Sequence, residues 1–343
     1  GAAPRCRRMT FADLIALLVC LPCLGFAGAF ALWAMGIALP GLTVVCPDSH
    51  SCTLGGIGAL AWGIGSTEAQ HAMVTGTLRV LKPKTMRVRF HGALRPGVNA
   101  KDMILHLISR HGAGGGNGFA VEFQGEAVTG LSVEARMTLC NMAVEFSAFT
   151  GLVAPDDATI EYCHGRSWSP QGQNADLADQ HWRTLQSATH ADFDHTLDID
   201  CADIQPCITW GTSPEHTVAI NDRVPSPLDE TSPSRRQAMS RALNYMGLEP
   251  GTPMREITID AAFIGSCTNS RLSDLREAAA YLPGRHVAEG VRAICVPGSS
   301  TVKRAAEAEG LDRVFQDAGF EWRESGCSMC FYAGGETFGA EAR

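Results

Sequence analysis

Short runs of β-branched and apolar residues alternate with helical patterns from residue 42 onward. The predicted strands include residues 42–46, 85–92, 256–264 and 291–296, and predicted helices include residues 101–110 and 272–282. Such alternation is typical of βαβ units, in which a helix connects two parallel strands. The sequence therefore predicts an α/β protein built mainly on parallel sheets.

Composition narrows the class of protein further. The chain has 343 residues, which is enough for two or three domains with buried cores. It carries 28 Lys and Arg against 36 Asp and Glu, a formal net charge of −8. A nucleic-acid-binding footprint needs clustered cations that displace counterions from phosphate, so we expect no nucleic-acid partner.

The first 35 residues are predicted to form a separate, divergent segment. Residues 14–47 contain no charged side chain, and their apolar part is long enough to span a bilayer. A signal-like or membrane-anchoring segment and an unrelated, artefactual one are both compatible with this pattern. For the rest of the chain, the sequence predicts one α/β domain over residues 36–225, a Pro- and Ser-rich connector over 226–255, and a second α/β domain over 256–343.

Three of the 13 cysteines stand in a setting that indicates metal chemistry. Cys267 follows a predicted strand and precedes a predicted helix, where open α/β sheets place their ligands. Cys327 and Cys330 form a C-x-x-C pair, which alone is weak evidence for a metal site. A structural zinc site needs four ligands, and no second pair lies nearby to complete one. Three thiolates favour a metal centre with one open position, whereas most other cysteines are expected to be buried thiols in a reducing compartment.

Nine short motifs carry a resemblance to a known family. They are DSH at residues 48–50, GALAWGIG at 58–65, RMTLCNMAVE at 136–145, GLVAPD at 151–156, TWGT at 209–212, IGSCTNSR at 264–271, VPG at 296–298, AGFEWR at 318–323 and GCSMC at 326–330. The motifs run in the order that is typical of the aconitase family, so the chain resembles this family and, within it, the large subunits of isopropylmalate dehydratases.

The resemblance implies a fold, a cofactor and a set of site residues. The fold would be aconitase-like, with three-layer α/β/α domains and mainly parallel sheets. Cys267, Cys327 and Cys330 would hold a [4Fe–4S] cluster. The remaining implied roles are catalysis by His50, Glu145 and Asp48, substrate binding by Ser49 and Arg271, and hydrogen bonding around the cluster by Asn141 and Asn269.

The implied activity is that of a cytoplasmic hydro-lyase subunit. It would convert 2-isopropylmalate to 3-isopropylmalate through 2-isopropylmaleate in leucine biosynthesis. The catalytic base in this family belongs to a swivelling domain, which here would be a separate small subunit. The family's upstream Asp-His motif and the segment after its C-x-x-C have no counterpart in this sequence, so we expect a chain shortened at both ends that has little turnover alone.

Three other interpretations stay open at this level. The chain could serve a related hydro-lyase acting on citramalate, homocitrate or citrate, or it could be a non-catalytic metal-binding relic. A membrane-tethered binding module would rest on the first 35 residues alone. Individual residues have structural alternatives too: Asp48 and Ser49 could cap a helix, Glu145 could be a solvated side chain, and Asn141 could satisfy a turn. Cys140 is expected to be core packing.

Overall fold

The computed structural model describes residues 35–188, 190–265, 268–326 and 328–330. The predicted divergent segment over residues 1–35 therefore lies almost entirely outside the described residues. The chain divides into two compact units. The first runs to Thr209 and includes Ser213–Ala219, and the second contains Trp210–Thr212 and the chain from Ile220 onward.

The first unit alternates strands and helices from Thr43 to Ala219. Its elements, in chain order, are β1 (Thr43–Cys46), a 3-10 helix (Ser49–Ile57), β2 (Leu60–Gly63), α1 (Ser66–Thr75), β3 (Lys84–His91), α2 (Ala100–His111), β4 (Phe119–Gln124), α3 (Glu126–Thr129), α4 (Val133–Asn141), β5 (Thr150–Leu152), α5 (Asp157–Cys163), α6 (Gln173–Arg183), β6 (His195–Asp200), β7 (Cys207–Thr209) and β8 (Thr217–Ala219).

A four-stranded, all-parallel sheet forms the centre of this unit. Its strand order is β5-β4-β3-β6, and β1 pairs with β2 in a second parallel sheet. Alternate residues of β3 (Met86, Val88 and Phe90) point to one face and are buried there. They pack with the apolar side of α2 and with α4, which delivers Leu139 and Cys140 to the same core. Cys140 is fully buried, as the sequence predicts.

The 3-10 helix after β1 lies in direct backbone contact with β5. A β-carbon built on Gly55 would stand 1.8 Å from the carbonyl oxygen of Gly151, far inside the closest real contacts. The neighbouring Gly56 is equally constrained, since its β-carbon would stand 2.6 Å from the backbone of Met137 in α4. Close approach of backbone to backbone therefore requires glycine in this helix.

Gly55→Ala should lower the free energy of unfolding by about 3 kcal/mol, the upper end of typical overpacking costs. The obstructing atom belongs to the backbone and cannot rotate away. Gly114→Ala is the matched control, because a β-carbon there has no heavy atom within 4 Å. Urea unfolding of both variants checks the prediction, and equal stability of the two would show that the contact does not limit the fold.

The second unit has a smaller sheet. Its elements are α7 (Pro233–Met246), β9 (Ala261–Ile264), α8 (Leu272–Ala280), β10 (Arg292–Cys295), α9 (Ser300–Ala308), α10 (Leu311–Asp317), β11 (Phe320–Trp322) and a final 3-10 helix (Ser328–Cys330). The strand order is β11-β10-β9, and both pairings are parallel. Leu275, Ala306 and Phe315 from the three helices after β9 pack against the buried Cys295 of β10.

Two segments of the second unit differ from the sequence predictions. The predicted connector over 226–255 contains α7, a helix of 14 residues. Pro233 begins this helix rather than breaking it, because proline at the first helical position loses no hydrogen bond. The predicted strand over 256–264 is paired only from Ala261, since its partner β10 begins at Arg292, opposite that residue.

Two further properties follow from the described residues. None of their helices is both long and apolar enough to cross a membrane. Seven of the described cysteines lie outside any disulfide, and six of these are buried, the exception being Cys207.

Candidate active site

The DSH motif lies directly after β1, at the start of the 3-10 helix. Asp48 caps that helix, and its side-chain Oδ1 accepts a hydrogen bond of 2.9 Å from the backbone N–H of His50. His50 has φ −93° and ψ 19°, in the sparsely allowed bridge region where many active-site residues lie. The Asp48 carboxylate thus acts on the backbone of His50, which matches the capping alternative for this residue.

His50 faces a carboxylate from another element. Its Nε2 lies 3.4 Å from Oε1 of Glu145, in the turn that follows α4. Its other ring nitrogen, Nδ1, lies 3.0 Å from the hydroxyl of Ser49. Both partners of the ion pair keep solvent contact, with 37% of the His50 side chain and 41% of the Glu145 side chain exposed. The structure therefore brings together Ser49, His50 and Glu145 at a surface that a small molecule can reach.

The electrostatics of the pair favour an ionised carboxylate. The hydrogen bond from His50 lowers the pKa of Glu145 from its ordinary value, although partial burial opposes the shift. An ionised carboxylate can only accept hydrogen bonds, so the N–H in this contact belongs to Nε2 of His50.

Asn141 ends α4 and acts on the same segment through a residue that sequence reasoning missed. Its Nδ2 donates a 2.8 Å hydrogen bond to the hydroxyl of Thr53. The Thr53 hydroxyl in turn donates 2.6 Å to the backbone carbonyl of His50. A threonine three residues after a site residue often bonds back to its carbonyl, and that spacing is the signal that could have identified Thr53.

Cys52 lies in the same 3-10 helix as His50 and Thr53, but its thiol is poorly reactive. Its thiol donates to the backbone carbonyl of Asn141 at 3.5 Å. Burial raises its pKa to about 12, and Asp48 and Glu145 oppose its ionisation further. Since the thiolate is the nucleophile and metal ligand, Cys52 is poorly suited to either role at neutral pH.

A buried arginine holds α4 in place beneath the pair. Arg136 is fully buried, and its guanidinium forms two hydrogen bonds of 2.7 and 2.8 Å to the carboxylate of Asp156. It also donates 2.8 Å to the carbonyl of Thr129. Burial opposes ionisation of Asp156, but hydrogen bonds from Arg136 and Thr159 outweigh it, so the pKa of Asp156 lies below its ordinary value. The helix that delivers Asn141 and Glu145 is therefore anchored at its centre.

The cysteine motifs belong to the second unit. Cys267 and Cys327 lie outside the described residues, as does the side chain of Cys330. The strands leading to them are described: β9 ends at Ile264, opposite Cys295 of β10, and Cys295 lies opposite Trp322 of β11. Because all three strands are parallel, the two motif-bearing segments leave the sheet at the same edge, with two strand spacings, or about 10 Å, between β9 and β11.

The residues between Cys267 and α8 are partly ordered by their own hydrogen bonds. The buried Ser270 donates its hydroxyl to the carbonyl of Val296 at 2.8 Å. Arg271 caps α8, since its N–H donates 2.9 Å to the Asp274 carboxylate, and its side chain is buried. Asn269 is half-buried in the same loop. Substrate binding by Arg271 and a role for Asn269 near a cluster remain predictions.

The comparisons with known proteins identify the family. A model of the aconitase family (aconitate hydratase) matches residues 29–342. The chain belongs to the aconitase family. This membership, together with the parallel sheets and their helices, confirms the family resemblance and the α/β fold class inferred from the sequence.

Two relatives define how far the likeness extends. Over 303 residues the chain is 56% identical to 3-isopropylmalate dehydratase large subunit 1 of Bradyrhizobium diazoefficiens, which covers 88% of this chain. The chain spans only 64% of the length of that relative. Among solved structures, it is similar to the holo form of aconitase X from Thermococcus kodakaraensis, with a TM-score of 0.42 and 15% identity over 83% of this chain and 56% of the other.

Proposed function

We propose that this chain is the cluster-bearing part of a hydro-lyase that interconverts 2-isopropylmalate and 3-isopropylmalate through 2-isopropylmaleate, a step of leucine biosynthesis. The observation that carries the proposal is the His50–Glu145 pair, with its nitrogen–oxygen distance of 3.4 Å, in a chain of this family. The 56% identity to an isopropylmalate dehydratase large subunit supports the choice of substrate.

The pair supplies the proton that the leaving hydroxyl needs. Hydroxide is a poor leaving group, and protonation by a positioned acid makes it a better one. His50 donates this proton, and Glu145, held ionised by the same contact, orients the imidazole for the transfer. Ser49 lies against the second ring nitrogen and is placed to contact a carboxylate of the substrate.

The proposed cluster site lies beyond the carboxyl ends of β9 and β11, because the segments that contain the three cysteines follow these strands in the sequence. The proposed ligands of the [4Fe–4S] cluster are Cys267, Cys327 and Cys330, which follow β9 and β11 at their shared carboxyl edge. When bound, the cluster supplies a Lewis-acidic iron for the hydroxyl and an adjacent carboxylate. Cys295, on the strand between them, is excluded as a ligand because burial raises its pKa to about 12.

A partner chain completes the proposed enzyme. The relative is named a large subunit, and we propose a small subunit as partner, which would carry the base for the carbon-bound proton. We place the reaction in the cytoplasm, where cysteines outside disulfides, such as the seven described ones, persist.

The test is turnover by the chain loaded anaerobically with iron and sulfide, mixed with the small subunit of an isopropylmalate dehydratase. Formation of the conjugated alkene from 2-isopropylmalate is followed by ultraviolet absorbance, and 3-isopropylmalate by mass spectrometry. We expect both products, and we expect Glu145→Gln to lower kcat about 10²- to 10⁴-fold, the usual worth of a general acid–base group.

Glu126→Gln is the matched control for this experiment. Glu126 also faces a histidine, with Oε2 3.9 Å from Nδ1 of His91, but lies on α3 away from the DSH motif. Its substitution should leave turnover unchanged. A loaded chain that dehydrates citramalate or homocitrate but not 2-isopropylmalate would reassign the substrate, and one that dehydrates none of them would contradict the proposed activity.

A further inference from the structure

His50 is held by hydrogen bonds at both of its backbone polar groups. Its N–H donates to the Asp48 carboxylate at 2.9 Å, and its carbonyl accepts from the Thr53 hydroxyl at 2.6 Å. These bonds fix a residue whose φ and ψ lie in the bridge region, a conformation that persists only where its surroundings impose it. The orientation of the imidazole therefore depends on side chains that do not touch it.

The hydroxyl of Thr53 is the link between the two elements of the site. This hydroxyl accepts a hydrogen bond from the side-chain amide of Asn141 and donates its single proton to the carbonyl of His50. Asn141 is the last residue of α4, and Glu145 lies four residues later in the turn that follows. The end of α4 and this turn thus hold His50 twice, through its carbonyl by way of Thr53 and through its ring by way of Glu145.

Thr53 is well protected from solvent competition. It and Asn141 are both buried, with 5% and 7% of their surfaces exposed, so water cannot readily replace either partner. Buried chains of hydrogen bonds of this kind fix geometry more firmly than exposed ones. The pair of His50 and Glu145, by contrast, is over a third exposed, and its 3.4 Å separation is long for a hydrogen bond.

We propose that Thr53 is a positioning residue that couples Asn141 to the backbone of His50 and thereby sets the distance between His50 and Glu145. The role in catalysis rests on the proposed function, whereas the coupling itself is a property of the folded chain. The coupling does not require the thiols of the second unit. A hydroxyl at position 53 is the essential chemistry, and its methyl group is dispensable.

The experiment compares Thr53→Val, which keeps the shape but removes the hydroxyl, with Thr53→Ser, which keeps the hydroxyl. The carboxyl carbon of Glu145 is followed by NMR as pH changes, in chain labelled with carboxyl-¹³C glutamate and assigned with Glu145→Gln. In the parent chain, contact with His50 lowers the pKa of Glu145. We expect this pKa to rise toward its ordinary value in Thr53→Val and to stay lowered in Thr53→Ser.

Thr150→Val is the matched control. Thr150 is another buried threonine whose hydroxyl donates to a backbone carbonyl, that of Ala61 at 2.6 Å. Thr150→Val should lower the stability of the chain by a similar amount and leave the pKa of Glu145 unchanged. If valine at position 53 is not accommodated, Thr53→Ala makes the same comparison without the added bulk.

The kinetic readout separates this inference from the proposed function. In the loaded enzyme, we expect Thr53→Val to lower kcat about tenfold to a hundredfold, as misplacement of a reacting group does, and Thr53→Ser to restore it. A parent chain without turnover whose Glu145 titration still responds to Thr53→Val would refute the activity and retain the coupling. The inference would be overturned if the pKa of Glu145 were the same in the parent chain and Thr53→Val, or if it were raised in Thr53→Ser as well.

Discussion

Arg136→Met should lower the free energy of unfolding by about 3 kcal/mol, the lower end of the cost of breaking a buried ion pair. Arg136 is fully buried, whereas 26% of the Asp156 side chain is exposed, so water relieves part of the penalty on the carboxylate left behind. The variant also leaves the carbonyl of Thr129 without the 2.8 Å bond from the guanidinium. Methionine fills a similar volume, which limits the contribution of an empty cavity.

Denaturant unfolding near neutral pH measures this effect, with Arg183→Met as its control. Arg183 pairs with Asp157 on the surface of the same unit, where 54% and 81% of the two side chains are exposed. Exposed pairs contribute about 0–1 kcal/mol, so the control should change stability little. Comparable losses in both variants would contradict the anchoring role of Arg136.

The loss of stability in Arg136→Met should be smaller in strong acid than at neutral pH. The pKa of Asp156 in the folded chain lies below its ordinary value of 3.8. Its contribution to stability is therefore complete above that ordinary value and is lost as pH falls through the lower folded pKa. The stability difference between the parent chain and Arg136→Met should accordingly narrow in strong acid.

Much of the fold can be predicted from the sequence, because the spacing of apolar residues and the turn residues between apolar runs are local signals. The strand predicted over 85–92 corresponds to β3 at Lys84–His91, and the helix predicted over 272–282 corresponds to α8 at Leu272–Ala280. The predicted connector over 226–255 does not anticipate α7. Ser and Pro occur both in loops and at the first positions of helices, so their presence alone does not distinguish the two. The predicted strand over 256–264 is longer than β9, because strand pairing depends on β10, which is distant in sequence.

The candidate site could be predicted only in part. Residues Ser49, His50 and Glu145 do come together, as the family motifs imply. The spacing of Thr53 from His50 indicates the bond to the His50 carbonyl, whereas the contact of Thr53 with Asn141, 88 positions away, could not be predicted from the sequence. Asp48 bonds to the backbone of His50, and its catalytic role stays a prediction.

Cys327→Ser should remove the cluster altogether. A serine hydroxyl is a far weaker ligand than a thiolate for iron, and iron–sulfur clusters are held by cysteine thiolates. Two remaining cysteines, Cys267 and Cys330, cannot hold a centre that also keeps one position open. We expect loss of bound iron, of labile sulfide and of turnover together, with the fold of the first unit retained.

Cys295→Ala is the matched control for this substitution. Cys295 lies on β10 of the same sheet, is fully buried, and has its pKa raised to about 12 by burial. We therefore expect its thiol to stay protonated and to take no part in metal binding. The control removes a cysteine from the same unit, and we expect its iron content to match that of the parent chain.

The most direct test of the account is the content of iron and labile sulfide per chain after anaerobic reconstitution, with an EPR spectrum of the same sample after one-electron reduction with dithionite, because the oxidised [4Fe–4S] cluster is diamagnetic. The account predicts about four iron and about four sulfide in the parent chain and in Cys295→Ala, a cluster signal in both, and neither metal nor signal in Cys327→Ser. Equal iron content in Cys327→Ser and the parent chain, or a stable zinc complex with no cluster signal, would contradict it.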